Sequence, residues 1–232
     1  MRILIQSLTI SLCLVTAACS GDSGQELFNG KDLNGWRGDG RVWKVVNGLL
    51  TGETKNSRDI TTNTFLIWQE FEVDDFELHV VFRLEGPNSG IQYRSRVDTT
   101  ISPFTVVGYQ ADLHTRPNYT GMLYEERGRR ILAERGQKVI FAKDGGKSLQ
   151  ETVEVSKPVN LTEWNDFDIS AVGNHMIHKL NGKVTADVTD NDAKHAALRG
   201  CLALQVSSGP PIKVQFKSLW LKRLGQRESN DK

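Results

Sequence analysis

The sequence predicts an all-β fold, a sandwich of two antiparallel sheets. Short runs rich in aromatic and β-branched residues recur between Gly, Asn and Pro turn signals along most of the chain, a pattern typical of such sandwiches. Asn47-Gly48 and Asn181-Gly182 each separate two of these runs, and Asn-Gly is the preferred pair of a tight type I′ hairpin. Helical periodicity is nearly absent, and residues 192–198 are the one weak helix candidate.

The same turn signals bound the individual strands that we expect. Each run is followed by Gly, Asn or Pro, or by a polar segment, as strand ends commonly are. The expected strands are residues 42–46, 76–83, 90–96, 105–113, 164–172, 176–180, 183–188, 201–205 and 212–221.

The N-terminus predicts export. Arg2 precedes an apolar run over residues 3–15, and Thr16-Ala17-Ala18 then leads to Cys19, as in a secretory signal. The run is shorter than the ~20 residues that cross a bilayer. Small residues before a cysteine resemble a lipobox, so Cys19 is the predicted lipidation site. Thr16 stands where a lipobox usually has Leu, which leaves ordinary cleavage as the alternative.

These features predict the domain organisation and the location of the chain. We expect a signal peptide over residues 1–18, a tether over 19–25, one domain over 26–224 and a polar tail over 225–232. The protein is then exported to the periplasm or the outer surface. Its contact with the membrane would be made only through the lipid at Cys19.

Composition narrows the range of partners and core types. With 29 basic and 28 acidic residues the formal net charge is +1, so no long-range field attracts polyanions, and nucleic acid is not an expected partner.

Of the three cysteines, Cys13 falls in the signal and Cys19 is the lipid site, which leaves only Cys201 in the domain. The domain therefore has no internal disulfide and depends on its core, and Cys201, in an apolar run, is expected to be a small buried side chain.

Polar side chains form a row on each of two successive strands. Residues two apart on a strand share a face of the sheet. Sugars offer hydroxyls to amides and carboxylates, so two such rows on one surface would suit a carbohydrate. The alternative interpretation of these polar rows is an ordinary solvent-exposed face of a sheet. The two rows are Asn88, Gln92 and Arg94 on the first strand and Gln110, Asp112 and His114 on the second.

Several motifs resemble those of the 3-keto-disaccharide hydrolase family. Residues 27–36 read LFNGKDLNGW, like the opening motif of that family, and residues 88–94 read NSGIQYR, like its NSGI-x-x-R strand. Residues 108–112 (GYQAD) and 121–126 (GMLYEE) follow in the family's order. Further matches lie at residues 131–133, 164–165, 180–182 and 200–205, so the resemblance covers nearly all of residues 26–222.

The resemblance implies a concanavalin A-like jelly roll and cleavage of glycosidic bonds in sugars oxidised to a ketone at C3. A ketone at C3 acidifies the hydrogen on C2, so a base forms an enolate, the C1 substituent is eliminated, and water adds to the enone. Such chemistry needs a base, a group that stabilises the enolate oxygen and an acid for the leaving group. An ordinary glycosidase would instead need two carboxylates that flank the bond.

Candidate residues for these roles come from the two polar rows and from the segment after them. Asp112, His114 and Glu125 are the candidate bases, Arg94 the enolate stabiliser and Tyr124 the donor to the leaving oxygen. The alternative for Arg94 is a structural ion pair with Asp112 or Glu125. The candidate substrate-binding residues are Asn88, Gln92, Gln110, Gln205 and Trp36.

Other aromatic and histidine residues are expected to have no part in the site. Trp164 and Trp220 sit in apolar strand patterns and are expected in the core. His175 and His178 are three residues apart, which places them on opposite faces of a strand, so they are not expected to bind zinc together. Both are expected at the surface.

A metal ion and a different function remain open alternatives. Oxygen ligands from Asp112, Glu125 and Gln110 would suit Ca²⁺ or Mg²⁺ in place of Arg94. Jelly rolls also serve as lectins, so a non-catalytic carbohydrate-binding domain is the alternative function. The enzyme reading implies a partner oxidoreductase that makes the ketone. Relatives often carry a His or Asp just after the residue that matches Gln205, and residues 206–211 lack it, which argues against a catalytic role for this loop. The long polar stretch 127–155 is a candidate lid.

Overall fold

The computed structural model of the chain describes residues 24–153 and 158–225. The predicted signal peptide, Cys19, the tether up to residue 23 and the tail from residue 226 lie outside the described residues. Within these two ranges the regular structure consists of strands and contains no helix. Accordingly, no helix of the described part is long and apolar enough to cross a membrane.

Seventeen strands follow one another in the described ranges. Most are four to ten residues long, and β17 is the longest with twelve. They are β1 (Gln25–Glu26), β2 (Trp36–Arg37), β3 (Trp43–Val46), β4 (Leu49–Thr54), β5 (Thr64–Trp68), β6 (Phe76–Glu85), β7 (Asn88–Val97), β8 (Val106–His114), β9 (Leu123–Glu126), β10 (Arg130–Ala133), β11 (Gln137–Phe141), β12 (Lys147–Thr152), β13 (Asn165–Val172), β14 (His175–Leu180), β15 (Lys183–Asp190), β16 (Cys201–Val206) and β17 (Ile212–Arg223).

The strands form two sheets, as predicted for a jelly-roll sandwich. The large sheet has the order β12-β11-β15-β14-β13-β6-β17-β4-β3, with β1 paired to β17. The small sheet has the order β10-β9-β8-β7-β16-β5-β2. Paired strands are antiparallel except β11 and β15, which pair in parallel. Strands distant in sequence, such as β7 and β16, become neighbours in this topology.

The core lies between the two sheets, and alternate residues of each strand point into it. In β6, Phe76, Leu78, Val80, Phe82 and Leu84 are all buried while the residues between them are more exposed. β5 differs because every one of its residues is buried. A second apolar cluster on the outer face of the small sheet, formed by Phe65, Ile67, Val106 and Ala203, accounts for this. That cluster closes one part of the outer face and leaves the rest available for a site.

The predicted strands are confirmed to within two residues at each end. β5 was missed because burial on both faces removes the alternation that marks a strand. The expected helix at residues 192–198 is wrong, since the structure has a turn there. The candidate lid at 127–155 is also wrong as a loop, because its described part, residues 127–153, contains β10, β11 and β12.

Arg94 lies at an irregularity in β7 and clamps two loops. Its φ of 48° is in the left-handed region, and the register between β7 and β8 shifts between Gln92 and Arg96. The guanidinium therefore turns away from the polar face of β7. It donates to the Asp74 carbonyl (2.7 Å), the Gly173 carbonyl (2.5 Å) and the Asp75 carboxylate (2.9 Å), and its side chain is fully buried. The prediction that Arg94 shares a face with Asp112 is therefore wrong.

Arg94→Ala tests this structural role. Removing one partner of a buried, hydrogen-bonded ion pair leaves the other groups buried without partners, which costs about 3 kcal/mol or more. We expect the free energy of unfolding to fall by that amount. In urea denaturation this appears as a lower midpoint concentration with an unchanged slope. Arg96→Ala is the control, because Arg96 is exposed and its truncation should change stability by less than about 0.5 kcal/mol. Equal stability of the two variants would contradict the clamp.

Candidate active site

A cleft of about 420 Å³ opens on the outer face of the small sheet. β7, β8 and β9 supply its floor, because their outward side chains at alternate positions point into it. Five residues predicted from the sequence line this cleft together: Asn88, Gln110, Asp112, His114 and Tyr124.

A row of buried polar side chains, here called the amide row, crosses the floor and ends at Asp112. Ser95 Oγ donates to Gln92 Oε1 (2.6 Å), Gln92 Nε2 donates to Gln110 Oε1 (3.0 Å), and Gln110 Nε2 donates to Asp112 Oδ1 (2.7 Å). All four residues are at most 4% exposed. Gln92 and Gln110 each accept through Oε1 on one side and donate through Nε2 on the other. The row therefore has a fixed direction and presents an N–H to the carboxylate of Asp112.

Gly90 makes room for the amide row. It lies opposite Asp112 in the β7–β8 ladder, and a Cβ on it would be 2.5 Å from Gln110 Cδ. Real Cβ atoms do not approach that closely, so the Gln110 side chain can lie flat across β7 only because residue 90 has none. The glycine of the NSGI motif is thus explained by the packing of Gln110.

Asp112 has an unusual protonation equilibrium. The side chain is almost fully buried, and burial raises its pKa from the ordinary 3.8 to about 7, against the opposing effect of the Gln110 hydrogen bond. The negative charge of Glu126 adds to the rise. A carboxyl group whose pKa lies near neutral pH is well suited to exchange protons.

Two polar atoms beside the amide row have no protein partner. Gln205 Nε2 and Asn88 Oδ1 are both buried and make no hydrogen bond within the described residues. Gln205 is held by a weak contact of its Oε1 with Gln110 Nε2 at 3.5 Å. Unpaired buried polar atoms are costly. Of the two residues, only Asn88 lines the cleft, so its Oδ1 is the acceptor available to a ligand hydroxyl.

His114 ends β8 at the rim of the cleft. Its Nδ1 accepts a hydrogen bond from the Arg116 backbone N–H at 2.9 Å, and Tyr119 packs edge-on against its ring. Burial, with a smaller effect of the Arg116 charge, lowers the pKa of His114. The ring is therefore neutral at pH 7 with its proton on Nε2, which makes it a hydrogen-bond donor rather than a base.

Glu126 is a cleft residue that the sequence reasoning missed. Asn63 Nδ2 donates to its Oε1 at 3.2 Å, and burial raises its pKa against that hydrogen bond and the Arg127 charge. Tyr124, two residues before it, has a pKa raised by burial and by Glu126. Leu123 is a core residue, so alternation along residues 123–126 should have placed Tyr124 and Glu126 on the outer face. Further lining residues that were missed are Arg116, Tyr119 and Arg130.

Glu125 faces the opposite way from the cleft. Its carboxylate accepts from Arg129 Nε at 2.7 Å and from the Arg129 backbone N–H at 2.8 Å. Arg129 also donates to Asp190 at 2.6 Å and to Asp192 at 3.3 Å. This ion cluster joins the β9–β10 hairpin to the end of β15. The expected approach of Glu125 to Asp112 is therefore wrong, and Glu125 instead holds the hairpin that carries Tyr124 and Glu126.

Three other predicted residues lie elsewhere than expected. Gln92 and Gln205 are 0% exposed and do not line the cleft, so Gln92 orients Gln110 rather than a ligand. Trp36 is 8% exposed, packs against Trp68 at 5.0 Å and donates through Nε1 to the Leu27 carbonyl, so its ring is not a platform for a sugar.

The expected positions of several other residues are also corrected. Trp164 and Trp220 are each 38% exposed rather than buried. His178 is completely buried, with Nε2 2.9 Å from the Tyr93 hydroxyl. Burial lowers the pKa of His178 to about 4. Cys201 is partly buried, and burial raises the pKa of its thiol to about 12.

The predicted metal ligands do not come together. Asp112 and Gln110 are neighbours, but Glu125 is bound to Arg129 on the other face of β9. In the described part of the chain no group of three or more His, Cys, Asp and Glu side chains is placed to hold a metal ion. The described residues therefore do not fit the predicted Ca²⁺ or Mg²⁺ site.

Comparison with known protein families matches residues 23–222 to the 3-keto-α-glucoside-1,2-lyase-like domain. The chain belongs to this family. A search of curated proteins finds no match.

Solved structures similar to this family member share its fold, and the three that follow are described as carbohydrate-active or carbohydrate-binding proteins. A candidate glycosyl hydrolase from Parabacteroides distasonis ATCC 8503 has a TM-score of 0.56 at 20% identity, over 87% of this chain and 99% of that one. A carbohydrate-binding module from Bacillus subtilis has 0.53 at 14%, over 81% and 95%. Bacillus licheniformis β-glucanase has 0.56 at 8%, over 88% and 100%. The fold of this chain is therefore the jelly roll of glucanases and lectins. Membership of the 3-keto-α-glucoside-1,2-lyase-like family supports a carbohydrate-related function.

The raised pKa of Asp112 predicts a pH-dependent cost in stability. Because the folded pKa of about 7 lies above 3.8, the stability that the proton supplies is fully present below pH 4 and is lost as pH rises to 7. Asn carries no charge and avoids that loss. We expect Asp112→Asn to become more stable than wild type as pH rises, with the difference growing by about 4 kcal/mol between pH 4 and pH 8.

Urea denaturation at several pH values measures this difference. Asp144→Asn is the matched control, because Asp144 is exposed and lies outside the cleft. A difference between Asp112→Asn and wild type that stays constant with pH would show that Asp112 titrates as an ordinary carboxylate.

Proposed function

We propose that this protein cleaves the glycosidic bond of 3-keto-glycosides or 3-keto-disaccharides. The observation that carries the proposal is a buried carboxyl group with a pKa of about 7, held by a directed amide row in an open cleft of a 3-keto-α-glucoside-1,2-lyase-like domain. That pKa makes Asp112 a base of suitable strength for the proton on C2 of a 3-keto sugar.

The reaction balances as an elimination followed by hydration. Asp112 takes the C2 proton, and the C2–H electron pair forms an enolate with the C3 ketone. The enolate then expels the C1 oxygen, which leaves with the C1–O electron pair and accepts a proton as the alcohol. Water adds to the enone, its oxygen to C1 and a proton to C2. The sum is one substrate and one water converted to a 3-keto sugar and the free alcohol.

The remaining cleft residues supply the other two roles. The Nε2–H of neutral His114 and the guanidinium groups of Arg116 and Arg130 are the available donors for the enolate oxygen, replacing Arg94. Glu126, whose pKa is raised by burial, is the acid for the leaving oxygen, with Tyr124 beside it. Asn88 is available to orient a hydroxyl, whereas the buried amide of Gln110 is already bound to Gln92 and Asp112.

Turnover of 3-keto-glucosides and 3-keto-trehalose by the purified protein tests the proposal. We expect release of sugar, followed by mass spectrometry, from the oxidised substrates and none from the unoxidised parents, and no loss with EDTA. Asp112→Asn should lower kcat at least ~100-fold because it removes the base, whereas Asp144→Asn should not. The wild-type rate should rise with pH through about 7, since only the ionised carboxylate accepts a proton.

Two outcomes would contradict the proposal in different ways. Undiminished turnover by Asp112→Asn would exclude Asp112 as the base. No product from any oxidised substrate, together with binding of unmodified sugar, would favour the alternative of a non-catalytic carbohydrate-binding domain.

We further propose that the protein acts outside the cytoplasm, anchored by lipid at Cys19, downstream of an oxidoreductase that makes the ketone. The sequence of residues 1–19 supports export. Metabolic labelling with palmitate should label the wild-type chain and not Cys19→Ser. Label in both would contradict lipidation at this residue.

A further inference from the structure

The outer face of the large sheet carries an outward-facing row of one tryptophan and three polar side chains, far from the cleft. Trp220 on β17 pairs with His79 on β6, His79 with Asp168 on β13, and Asp168 with Lys179 on β14. Their inward neighbours Leu221 and Ile169 are buried, so these four side chains, here called the Trp220 row, point outward. The cleft lies on the outer face of the other sheet, on the opposite side of the sandwich.

The Trp220 row lines a groove of about 280 Å³ that also includes Glu77 and Ser170. Four adjacent strands span three inter-strand spacings, which at ~4.8 Å each give a row of about 14 Å. A row of this length is long enough for an extended ligand rather than for a single small group.

Trp220 is held in place while part of its ring is open. The side chain is 38% exposed. Gly24 lies against it so closely that a Cβ would be 2.2 Å from the ring, which fixes one side of the indole. An aromatic ring that is already positioned loses little freedom when a ligand packs on it.

The polar groups of the row have free hydrogen-bonding capacity. His79 Nδ1 lies 2.7 Å from Asp168 Oδ1, which leaves the other Asp168 oxygen available. Lys179 and Glu77 have no ion pair within the described residues, and side chains of both charges line the groove. A mixed field of this kind favours a neutral ligand with many hydroxyls over a polyanion.

We propose that the Trp220 row is a second carbohydrate-binding site, for a short neutral oligosaccharide. The open indole packs against the apolar face of one sugar ring, and Asp168, Lys179 and Glu77 exchange hydrogen bonds with the hydroxyls of adjacent rings. The site does not depend on the function proposed for the cleft, because it requires binding alone.

Isothermal titration calorimetry with maltohexaose, cellohexaose and laminarihexaose tests the proposal on the wild-type protein. We expect at least one hexaose to bind, and Trp220→Ala to weaken that binding about tenfold or more. Trp164→Ala is the matched control, because Trp164 is also 38% exposed but its ring is already packed against the Arg83 guanidinium at 4.8 Å. It should bind as wild type does.

Further variants separate the row from the cleft and from self-association. Asp112→Asn should bind the hexaose unchanged, whatever its effect on turnover. Lys179→Ala should weaken binding several-fold and replaces Trp220→Ala as the test if that variant does not fold. The proposal is overturned if no hexaose binds, if Trp220→Ala and Lys179→Ala bind as wild type, or if Asp112→Asn abolishes the binding. It is also overturned if sedimentation shows that Trp220 instead joins two copies of the chain.

Discussion

The hydrogen bond from Gln110 to the buried carboxyl group of Asp112 is the interaction on which the site depends. Burial alone would strongly favour the neutral acid, whereas an N–H aimed at the carboxylate favours the charged form. The balance places the pKa of Asp112 at about 7, between a permanently charged and a permanently neutral group. Gln110 can hold this position only because Gln92 and Ser95 fix its amide from behind and Gly90 leaves space for it.

One face of β9 contributes to stability and the other face lines the cleft. Leu123 and Glu125 point inward, where Glu125 joins the ion cluster of Arg129, Asp190 and Asp192. Tyr124 and Glu126 point outward into the cleft. Because neighbouring residues on a strand face opposite ways, two adjacent glutamates serve different purposes. The charged cluster anchors the hairpin, and the hairpin presents the second carboxyl group to Asp112.

Sequence reasoning predicts much of this molecule because strand alternation and Asn-Gly turns are local. It places Gln110, Asp112 and His114 on one face correctly. It fails for Arg94, whose left-handed backbone breaks the alternation within β7, and for Gln92, whose burial depends on neighbours distant in sequence. Sequence reasoning also fails for Trp36 and Trp220, because their burial depends on distant parts of the chain. Trp36 was expected to contact a ligand but is buried by pairing with β5. Trp220 was expected in the core but lies on the outer face of β17.

Carbon-13 NMR titration of the Asp112 carboxyl group measures the central claim most directly. Assignment follows from the loss of its signal in Asp112→Asn. The structure predicts a pKa of about 7 in the wild type and a higher value in Gln110→Leu, because that variant loses the hydrogen bond that favours the charged form. A carboxyl group that titrates near 4 in both proteins would contradict the account, since neither burial nor the amide row would then control its proton.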